Sequence, residues 1–291
     1  MKPKRERRFE TTSRHAVQHA EREAWGEPVA AAALPQRPDP LPPAVSPAAA
    51  PEPLRAQLYV VATPLGNLAD ASPRVRQTLA AAPVIACEDT RRTWQLLSAL
   101  GVPRPEMFSY RQGNEEQVTE RIVGFVRAGT PVALCSDGGY PGISDPGYRV
   151  LRAFAVAGLP YTVLPGPCSV ELALLLSGLP TSSYTFKGFP PRKPGSLRKF
   201  FEQERLMPHT LICLESPFRL VASLRAALEV LGEREGAVCM EMTKLHERVY
   251  RGTLSHLINQ LEAAPPKGEA TYVIAGANPK FDHSETLDET P

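Results

Sequence analysis

Short apolar runs alternate with amphipathic stretches between residue 57 and about residue 165. The runs "QLYVVAT", "APVIACED" and "PVALCSD" lack the strict polar alternation of a half-exposed strand, so they predict buried strands. Stretches between them, such as "EEQVTERIVGFVRAG", carry apolar residues at helical spacing. Buried strands that alternate with helices indicate an α/β fold with a parallel sheet.

The pattern changes after the segment "PGPCSVELALLLSGL", which predicts a helix following a Gly-Pro turn. The later apolar runs "HTLICLES", "GAVCMEMTK" and "GEATYVIAG" also predict strands, but several of the later strands are joined by short links, which favours a mixed sheet. We therefore predict a parallel α/β domain at residues 56–167 and a mixed α/β domain at residues 168–278.

Both ends of the chain differ from this pattern. Residues 1–55 start with a basic segment and continue as a sequence dominated by proline and alanine, which predicts a disordered tail. Residues 279–291 are polar and predict a frayed end.

Composition narrows the possible classes of protein. The 291 residues carry a formal net charge of +2, so overall charge favours no particular partner. The apolar runs are too short for a transmembrane helix, and the basic N-terminus lacks the apolar core of a secretory signal. Five single cysteines without a CxxC pair predict reduced, buried thiols in a cytoplasmic protein, with no metal site.

The segments that follow the predicted strands hold the candidate chemistry. Ligands of open α/β sheets bind beyond the carboxyl ends of the strands. These loops lack the GxGxxG, GxxxxGK[ST] and GxSxG patterns, which disfavours dinucleotide, P-loop and hydrolase sites. A ligand held mainly by backbone groups is then expected in the loops "TPLGNLAD", "EDTRRT", "RQGNEE", "SDGGYPGISDPG" and "PGPCS".

Several segments, taken in order, resemble one known family: "LYVVATPLGNLAD", "CEDTRRT", "SDGGYPGISDPGY", "LPGPCS", "ESPFRL", "EMTKLHERVYRGTL" and "GEATYVIAG". They are similar to the tetrapyrrole methylase superfamily, and more closely to its 16S rRNA (cytidine(1402)-2′-O)-methyltransferase branch. The resemblance covers roughly residues 57–277. It implies two α/β domains with S-adenosylmethionine in the cleft between them, usually in a homodimer, and the 16S rRNA of the small ribosomal subunit as substrate.

The resemblance also implies which residues hold the methyl donor. The first domain would contribute Pro64, Leu65, Gly66, Asn67, Ser136, Asp137, Gly138, Gly139, Tyr140, Pro141, Pro165, Gly166 and Pro167. The second domain would close over the donor through Glu215, Ser216, Thr243, Lys244, Gly268 and Glu269.

Two loops depart from the pattern of the branch. The chain has "DGGYP" where the branch typically has "DAGTP", so Tyr140 replaces a threonine beside the donor. It also has "RQGNE" where the branch typically has "HEHNE", so two histidines are missing at Arg111–Glu115. The donor site therefore follows the branch more closely than the features that would select the RNA.

Acidic residues are the candidates for deprotonating a ribose hydroxyl. We select Glu88, Asp89 and Glu115, although Glu88 and Asp89 could equally cap the helix that begins near Thr90. The other acidic residues of the long loop, Asp137 and Asp145, are expected to organise the loop or to bind the donor.

Basic residues near the loops are the candidates for RNA contacts. A solvated surface is the other interpretation of such a cluster, and Lys244 could be either a cleft residue or an ion-pair partner. The candidates are Arg91, Arg92, Arg111, Arg192, Lys193, Arg198 and Lys199.

Three other functions stay open at this point. The chain could methylate another RNA or a tetrapyrrole, although "TPLGNL" and "EDTR" argue for the rRNA branch. It could be a ribosome-assembly factor that kept the fold and lost turnover. A hydrolase or nucleotide-binding protein is disfavoured by the missing motifs.

Overall fold

A computed structural model describes residues 53–278. In that range the chain forms ten strands, eight α-helices and a short 3₁₀-helix at Leu68–Asp70. The tail predicted at residues 279–291, and all but the last three residues of the tail predicted at residues 1–55, lie outside the described residues.

The first five strands form one sheet in which all neighbours are parallel. Its order is β3-β2-β4-β1-β5. The central strands β1, β2 and β4 are buried along their whole length, as expected for a sheet covered on both faces. The prediction of a parallel α/β sheet is confirmed. The strands are β1 (Leu58–Val61), β2 (Val84–Cys87), β3 (Glu106–Ser109), β4 (Val132–Cys135) and β5 (Tyr161–Leu164).

Four helices cover the two faces of this sheet: α1 (Pro73–Ala81), α2 (Thr90–Ala99), α3 (Glu115–Arg127) and α4 (Tyr148–Ala157). Successive residues of β1 point to opposite faces, as in any strand. Val60 belongs to the core cluster that contains Ile122 of α3, whereas Val61 belongs to the cluster that contains Leu79 of α1 and Leu97 of α2. Each continuous apolar strand therefore contributes side chains to two hydrophobic cores, one on each face of the sheet.

The second five strands form a mixed sheet in the order β6-β7-β10-β8-β9. The β6–β7 pair is parallel, and the other three pairs are antiparallel. This arrangement confirms the predicted change to a mixed sheet. The strands are β6 (Tyr184–Phe186), β7 (Thr210–Glu215), β8 (Glu235–Met240), β9 (Arg248–Thr253) and β10 (Ala270–Ile274).

The remaining helices cover this second sheet: α5 (Ser169–Ser177), α6 (Pro194–Glu202), α7 (Pro217–Leu231) and α8 (Leu254–Ala263). Helix α5 follows β5 directly in the chain but packs on the second sheet, where Ala173 shares a core cluster with Cys239 and Val273. The chain thus passes from one sheet to the other between β5 and α5. The division into domains at residues 167 and 168 stays a prediction.

Helix α1 was not predicted from the sequence. Only Val75, Thr78 and Leu79 of this helix are buried, so its apolar stripe is narrow. Its start nevertheless carries two recognisable signals. Ser72 accepts a hydrogen bond from the backbone N–H of Val75 at 3.2 Å, and Pro73 occupies the first helical position.

The five cysteines are unpaired, and four of them are buried. Within residues 53–278, no group of three or more histidine, cysteine, aspartate or glutamate side chains is placed to hold a metal ion. In the same range, no helix is both long and apolar enough to cross a membrane.

Candidate functional site

A cleft of about 420 Å³ lies between the loops of the first sheet and the strand ends of the second. The first sheet contributes the loops after β1, β2 and β4, at the carboxyl edge where the sequence placed the site. The second sheet contributes the end of β7, the start of β10 and the chain just beyond β8. The lining residues from the first sheet are Leu65, Glu88, Arg92, Asp137, Gly138, Gly139, Tyr140, Ile143, Ser144 and Asp145; the others are Cys168, Ser169, Phe189, Leu214, Glu215, Ser216, Pro217, Met242, Gly268, Glu269, Ala270 and Thr271.

Two loops of the first sheet are joined at the base of this cleft. The backbones of Thr63 and Gly139 exchange two hydrogen bonds, with N···O distances of 3.0 and 2.9 Å. The hydroxyl of Thr63 also donates to the carbonyl of Ser136 at 3.1 Å. Gly139 has a φ of 77°, a backbone conformation that side chains rarely adopt. The second glycine of "DGGYP" is therefore required by the backbone.

Tyr140 links the same loop to the chain beyond β5. Its hydroxyl accepts a hydrogen bond from the backbone N–H of Gly166 at 2.9 Å. Gly166 packs so tightly on Ala62 that a Cβ at this position would lie 2.8 Å from the Ala62 Cβ. The tyrosine that departs from the family pattern therefore ties the loop after β4 to a close-packed turn.

Five carboxylates line the cleft: Glu88, Asp137, Asp145, Glu215 and Glu269. Three of them have a cation nearby: Arg92 Nη1 lies 3.2 Å from Asp137 Oδ2, Arg219 lies 3.1 Å from Glu215, and Lys244 lies 3.1 Å from Glu269. Asp137 also accepts the backbone N–H of Asp89 at 3.3 Å. The five carboxylates outnumber these three cations. A cleft with this excess of negative charge favours a ligand that carries positive charge.

The surroundings raise the pKa of three of these carboxyl groups. Burial, together with repulsion from Glu88, Asp137 and Glu269, raises the pKa of Asp145 to about 7. Burial and the Asp137 charge likewise raise the pKa of Glu88. Burial also raises the pKa of Glu215, and this effect exceeds the opposing effects of its hydrogen bonds and of nearby arginines.

The three predicted catalytic residues have different surroundings. Glu88 lines the cleft. Asp89 instead caps α2, because its Oδ1 accepts the Arg91 N–H at 2.8 Å, and its carboxylate pairs with the Arg91 guanidinium at 2.7 Å. These contacts hold the pKa of Asp89 well below its usual range. Glu115 pairs with Arg149 at 3.0 Å and is not part of the cleft wall.

Asp145 is one of four acidic cleft residues that the sequence did not select as a base. It lies in a Gly- and Pro-rich loop, where an aspartate more often organises a turn. The residue before it, Ser144, has a φ of 65°, which is unusual for a side-chain-bearing residue. The position of Asp145 beyond a buried strand was a signal, but its burial next to other carboxylates depends on the loop conformation.

Nine of the predicted donor residues line the cleft: Leu65, Asp137, Gly138, Gly139, Tyr140, Glu215, Ser216, Gly268 and Glu269. Gly166, Pro167 and Thr243 line a neighbouring cavity of about 580 Å³, which shares Tyr140, Ile143 and Cys168 with the cleft. Apart from Lys244, six remain; they lie in the same loops but line neither cavity, and their contact with a donor stays a prediction. These six are Pro64, Gly66, Asn67, Ser136, Pro141 and Pro165.

Lys244 joins the first loop to the second sheet. A Cβ at Gly66 would lie 2.2 Å from the Cγ of Lys244, so the lysine side chain rests directly on this glycine. The Lys244 ammonium also pairs with Glu241 and Glu269, each at 3.1 Å. The ion-pair interpretation of Lys244 is therefore confirmed. The lysine contacts Glu269 of the cleft wall, and a cleft role for its own side chain stays a prediction.

The loop "RQGNE" is closed by its own asparagine. The Asn114 side chain accepts the Arg111 N–H at 2.9 Å and donates to the carbonyl of Ser109 at 2.9 Å. Asn114 therefore closes this loop without the two histidines that are typical of the branch.

The predicted RNA-binding residues fall into two groups by their contacts. Three already have carboxylate partners, since Arg91 pairs with Asp89, Arg92 with Asp137 and Arg198 with Glu229. The others are exposed, and within the described part of the chain they form no ion pair: Arg111, Arg192, Lys193 and Lys199.

The family profile of the tetrapyrrole (corrin/porphyrin) methylases matches residues 57–258. The chain belongs to this family. The match includes all the loops of the first sheet that line the cleft and, from the second, Phe189, Leu214, Glu215, Ser216, Pro217 and Met242. The expectation of a methyltransferase of this family is thereby confirmed.

Curated relatives extend the match beyond the family profile. A protein from Mesorhizobium japonicum named ribosomal RNA small subunit methyltransferase I is 41% identical over 238 residues, which is 81% of this chain and 81% of the relative. A protein of the same name from Thermotoga maritima is 37% identical over 220 residues, 76% of this chain and 98% of the relative.

Solved structures of the same fold are more distant in sequence. Uroporphyrin-III C-methyltransferase from Thermus thermophilus, complexed with S-adenyl homocysteine, is 22% identical with a TM-score of 0.52, covering 75% of this chain and 97% of that one. Cobalt precorrin-4 methyltransferase is 16% identical with a TM-score of 0.55, covering 76% of this chain and 95% of that one. These likenesses confirm the predicted fold class.

Proposed function

We propose that this protein uses S-adenosylmethionine to methylate the ribose 2′-oxygen of cytidine 1402 in the decoding region of 16S rRNA. The observation that carries the proposal is 41% identity, across four fifths of both chains, to a protein named for methylating small-subunit ribosomal RNA. The cleft is consistent with that activity because it is lined both by acidic side chains and by glycines, which let the backbone come close to a ligand.

The residues of the cleft fit the proposed methyl donor. S-Adenosylmethionine supplies a methyl group on a positively charged sulfur and also carries an ammonium group. The excess of carboxylates in the cleft would stabilise both charges. A volume of about 420 Å³ accommodates a ligand of that size. Gly138 leaves room for it, because even a Cβ there would lie no closer than 3.7 Å to its nearest neighbours.

We assign Asp145 as the base that accepts the proton of the ribose hydroxyl. The hydroxyl proton would pass to the Asp145 carboxylate as the ribose oxygen gains the methyl group, and the donor sulfur would keep the electron pair of the broken bond. A base with a pKa of about 7 is well matched to this task near neutral pH. Glu88 is the neighbouring alternative, and Asp89 and Glu115 are assigned to holding the scaffold.

Positioning contributes the rest of the rate in this proposal. The enzyme must hold the ribose oxygen and the methyl carbon in line, which can lower a barrier by roughly 7–11 kcal/mol in the best cases. The Thr63–Gly139 bridge and the Tyr140–Gly166 hydrogen bond fix the loop that would contact both reactants.

The wider setting of the protein is also proposed. Small ribosomal subunits would be the partner, as the names of the relatives indicate for those proteins. We further propose two domains at residues 56–167 and 168–278 from the change in the sequence pattern, a cytoplasmic location from the free cysteines, and a homodimer from the family resemblance.

The first experiment uses small ribosomal subunits from cells that lack this gene. The purified protein and methyl-labelled S-adenosylmethionine are added, and 2′-O-methyl ribose is mapped along the 16S rRNA. Label at cytidine 1402 supports the proposal and shows that "DGGYP" and "RQGNE" are tolerated. If the subunits stay unlabelled while calorimetry shows donor binding, the acceptor is a different molecule, and other RNAs and tetrapyrroles are tested next.

A further inference from the structure

Two phenylalanine rings lie in solvent beside the mouth of the cleft. Phe189 lines the cleft and is 58% exposed, and Phe218, in the first turn of α7, is 97% exposed. Burying a phenylalanine side chain is favourable, so a ring held almost wholly in water gains none of that stabilisation. Single exposed apolar residues are common on protein surfaces, but these two occur on one rim.

Arg219 holds the two segments that carry the rings. Its guanidinium donates to the carbonyls of Pro190 and Pro191 at 2.9 and 3.2 Å, and it pairs with Glu215 at 3.1 Å. Each bonded segment lies next to a ring, because Pro190 follows Phe189 and Arg219 follows Phe218. The two segments that carry the rings are therefore held together by an ion pair to the buried Glu215 carboxylate and by two hydrogen bonds.

The same rim carries positive charge. Arg192 and Lys193 follow the two prolines directly, both are exposed, and within residues 53–278 neither forms an ion pair. Arg192 lies close enough to Glu215 for their charges to interact. Exposed rings beside cations that form no ion pair suit the binding of single-stranded RNA, since bases stack on the rings and phosphates contact the cations.

We propose that Phe189, Phe218, Arg192 and Lys193 form a stacking rim that binds unpaired RNA nucleotides next to the methylated one. Stacking would hold the strand open, so that a ribose hydroxyl reaches the cleft. The inference rests on the proposed function, and it adds the requirement that the substrate be single-stranded beside its target.

Phe218 provides the clean test because it is outside the cleft wall and almost fully exposed. The probe is a single-stranded RNA with the decoding-region sequence, and a fully paired duplex of the same sequence serves as comparison. We expect Phe218→Ala to weaken single-strand binding roughly tenfold, with little effect on the duplex. Phe218→Trp should keep the affinity, whereas Phe218→Leu should lose it, because leucine has no π face.

The cations are tested through salt dependence. Neutralising two phosphate contacts of a single strand should reduce the slope of log affinity against log salt by about 1.4. The double substitution Arg192→Gln with Lys193→Gln should show this reduced slope. Val156→Ala removes an exposed apolar side chain from α4, far along the chain from the rim, and should leave RNA binding unchanged.

Three results would contradict the proposed stacking rim. These are unchanged RNA affinity in Phe218→Ala, full rescue by leucine, or a change in sedimentation that shows Phe218 to be a contact between copies of the chain. The subunit-labelling assay runs in parallel and separates the two proposals. If the subunits are labelled but Phe218→Ala leaves RNA affinity unchanged, only the stacking rim is rejected. If the subunits stay unlabelled but RNA binding depends on the Phe218 ring, only the assignment of 16S rRNA as the substrate is rejected.

Discussion

Glu88 and Asp89 are adjacent in the chain but do different work. Glu88 faces the cleft, where burial raises its pKa, whereas Asp89 turns back to cap α2 and has a lowered pKa. A difference of one position thus separates a candidate proton acceptor from a structural cap. The chemistry of an acidic residue here depends on which way its side chain leaves the loop.

Asp145 should control the pH dependence of methylation. A base works only when it is deprotonated, so kcat/KM should rise with pH through about 7 and then level off. Asp145→Asn should lower kcat about 10²–10⁴-fold and remove this rise. Initial rates on small subunits between pH 5.5 and 9 measure both. If the variant keeps the pH profile of the wild type, Asp145 is not the base, and Glu88 becomes the candidate instead.

The stability of the same variant provides an independent control. A raised pKa means that ionisation of Asp145 costs folding free energy as pH rises from about 4, its unfolded value, to about 7. Asp145→Asn should therefore gain thermal stability relative to the wild type over that range and keep the gain above it. A variant that is inactive because it is misfolded would show the opposite change.

At the scale of elements, the apolar pattern predicted the strands well because each buried strand is a continuous run such as "LYVV" or "VALC". Helix α1 was missed because only three of its residues are buried, which leaves little periodicity to detect. The loops of the site were predicted because parallel strands end at one edge. Which carboxylate enters the cleft was not, since that depends on loop dihedrals such as the φ of 65° at Ser144.

Helix α1 should depend on its N-cap more than longer helices do. Replacing Ser72 by alanine leaves the Val75 N–H without its partner, and such a loss typically costs about 1 kcal/mol. Urea unfolding of the Ser72→Ala variant should show this decrease in the free energy of unfolding. Ser98→Ala, within α2, removes an exposed hydroxyl that caps no helix and should change the free energy by less than about 0.5 kcal/mol.

At the scale of the whole molecule, the cleft exists only while the two sheets keep their positions. Contacts at its borders connect them, among them the Cys168–Ser169 segment that leads into α5, which packs on the second sheet, and Lys244 over Gly66. Lys244 differs from α5 because it is a single side chain held by partly exposed ion pairs. Its contact with Gly66 can therefore be broken without disturbing a core.

Gly66→Ala should loosen the cleft through Lys244. The added Cβ would lie 2.2 Å from the Lys244 Cγ, which is too near the backbone of the lysine to move without shifting its ammonium. Losing the pairs with Glu241 and Glu269 removes roughly 1 kcal/mol, so S-adenosylmethionine should bind about fivefold more weakly by calorimetry.

A double-mutant cycle identifies the cause of that loss. In a Lys244→Ala background the obstruction is absent, so Gly66→Ala should have no further effect on donor affinity. Gly195→Ala is the matched control, because a Cβ at that glycine meets no atom within 4 Å. If the effects of Gly66→Ala and Lys244→Ala simply add, the two residues act separately. The lysine would then be an ordinary surface ion pair, and the fixed position of the second sheet over the donor cleft would rest on α5 and the Cys168–Ser169 segment instead.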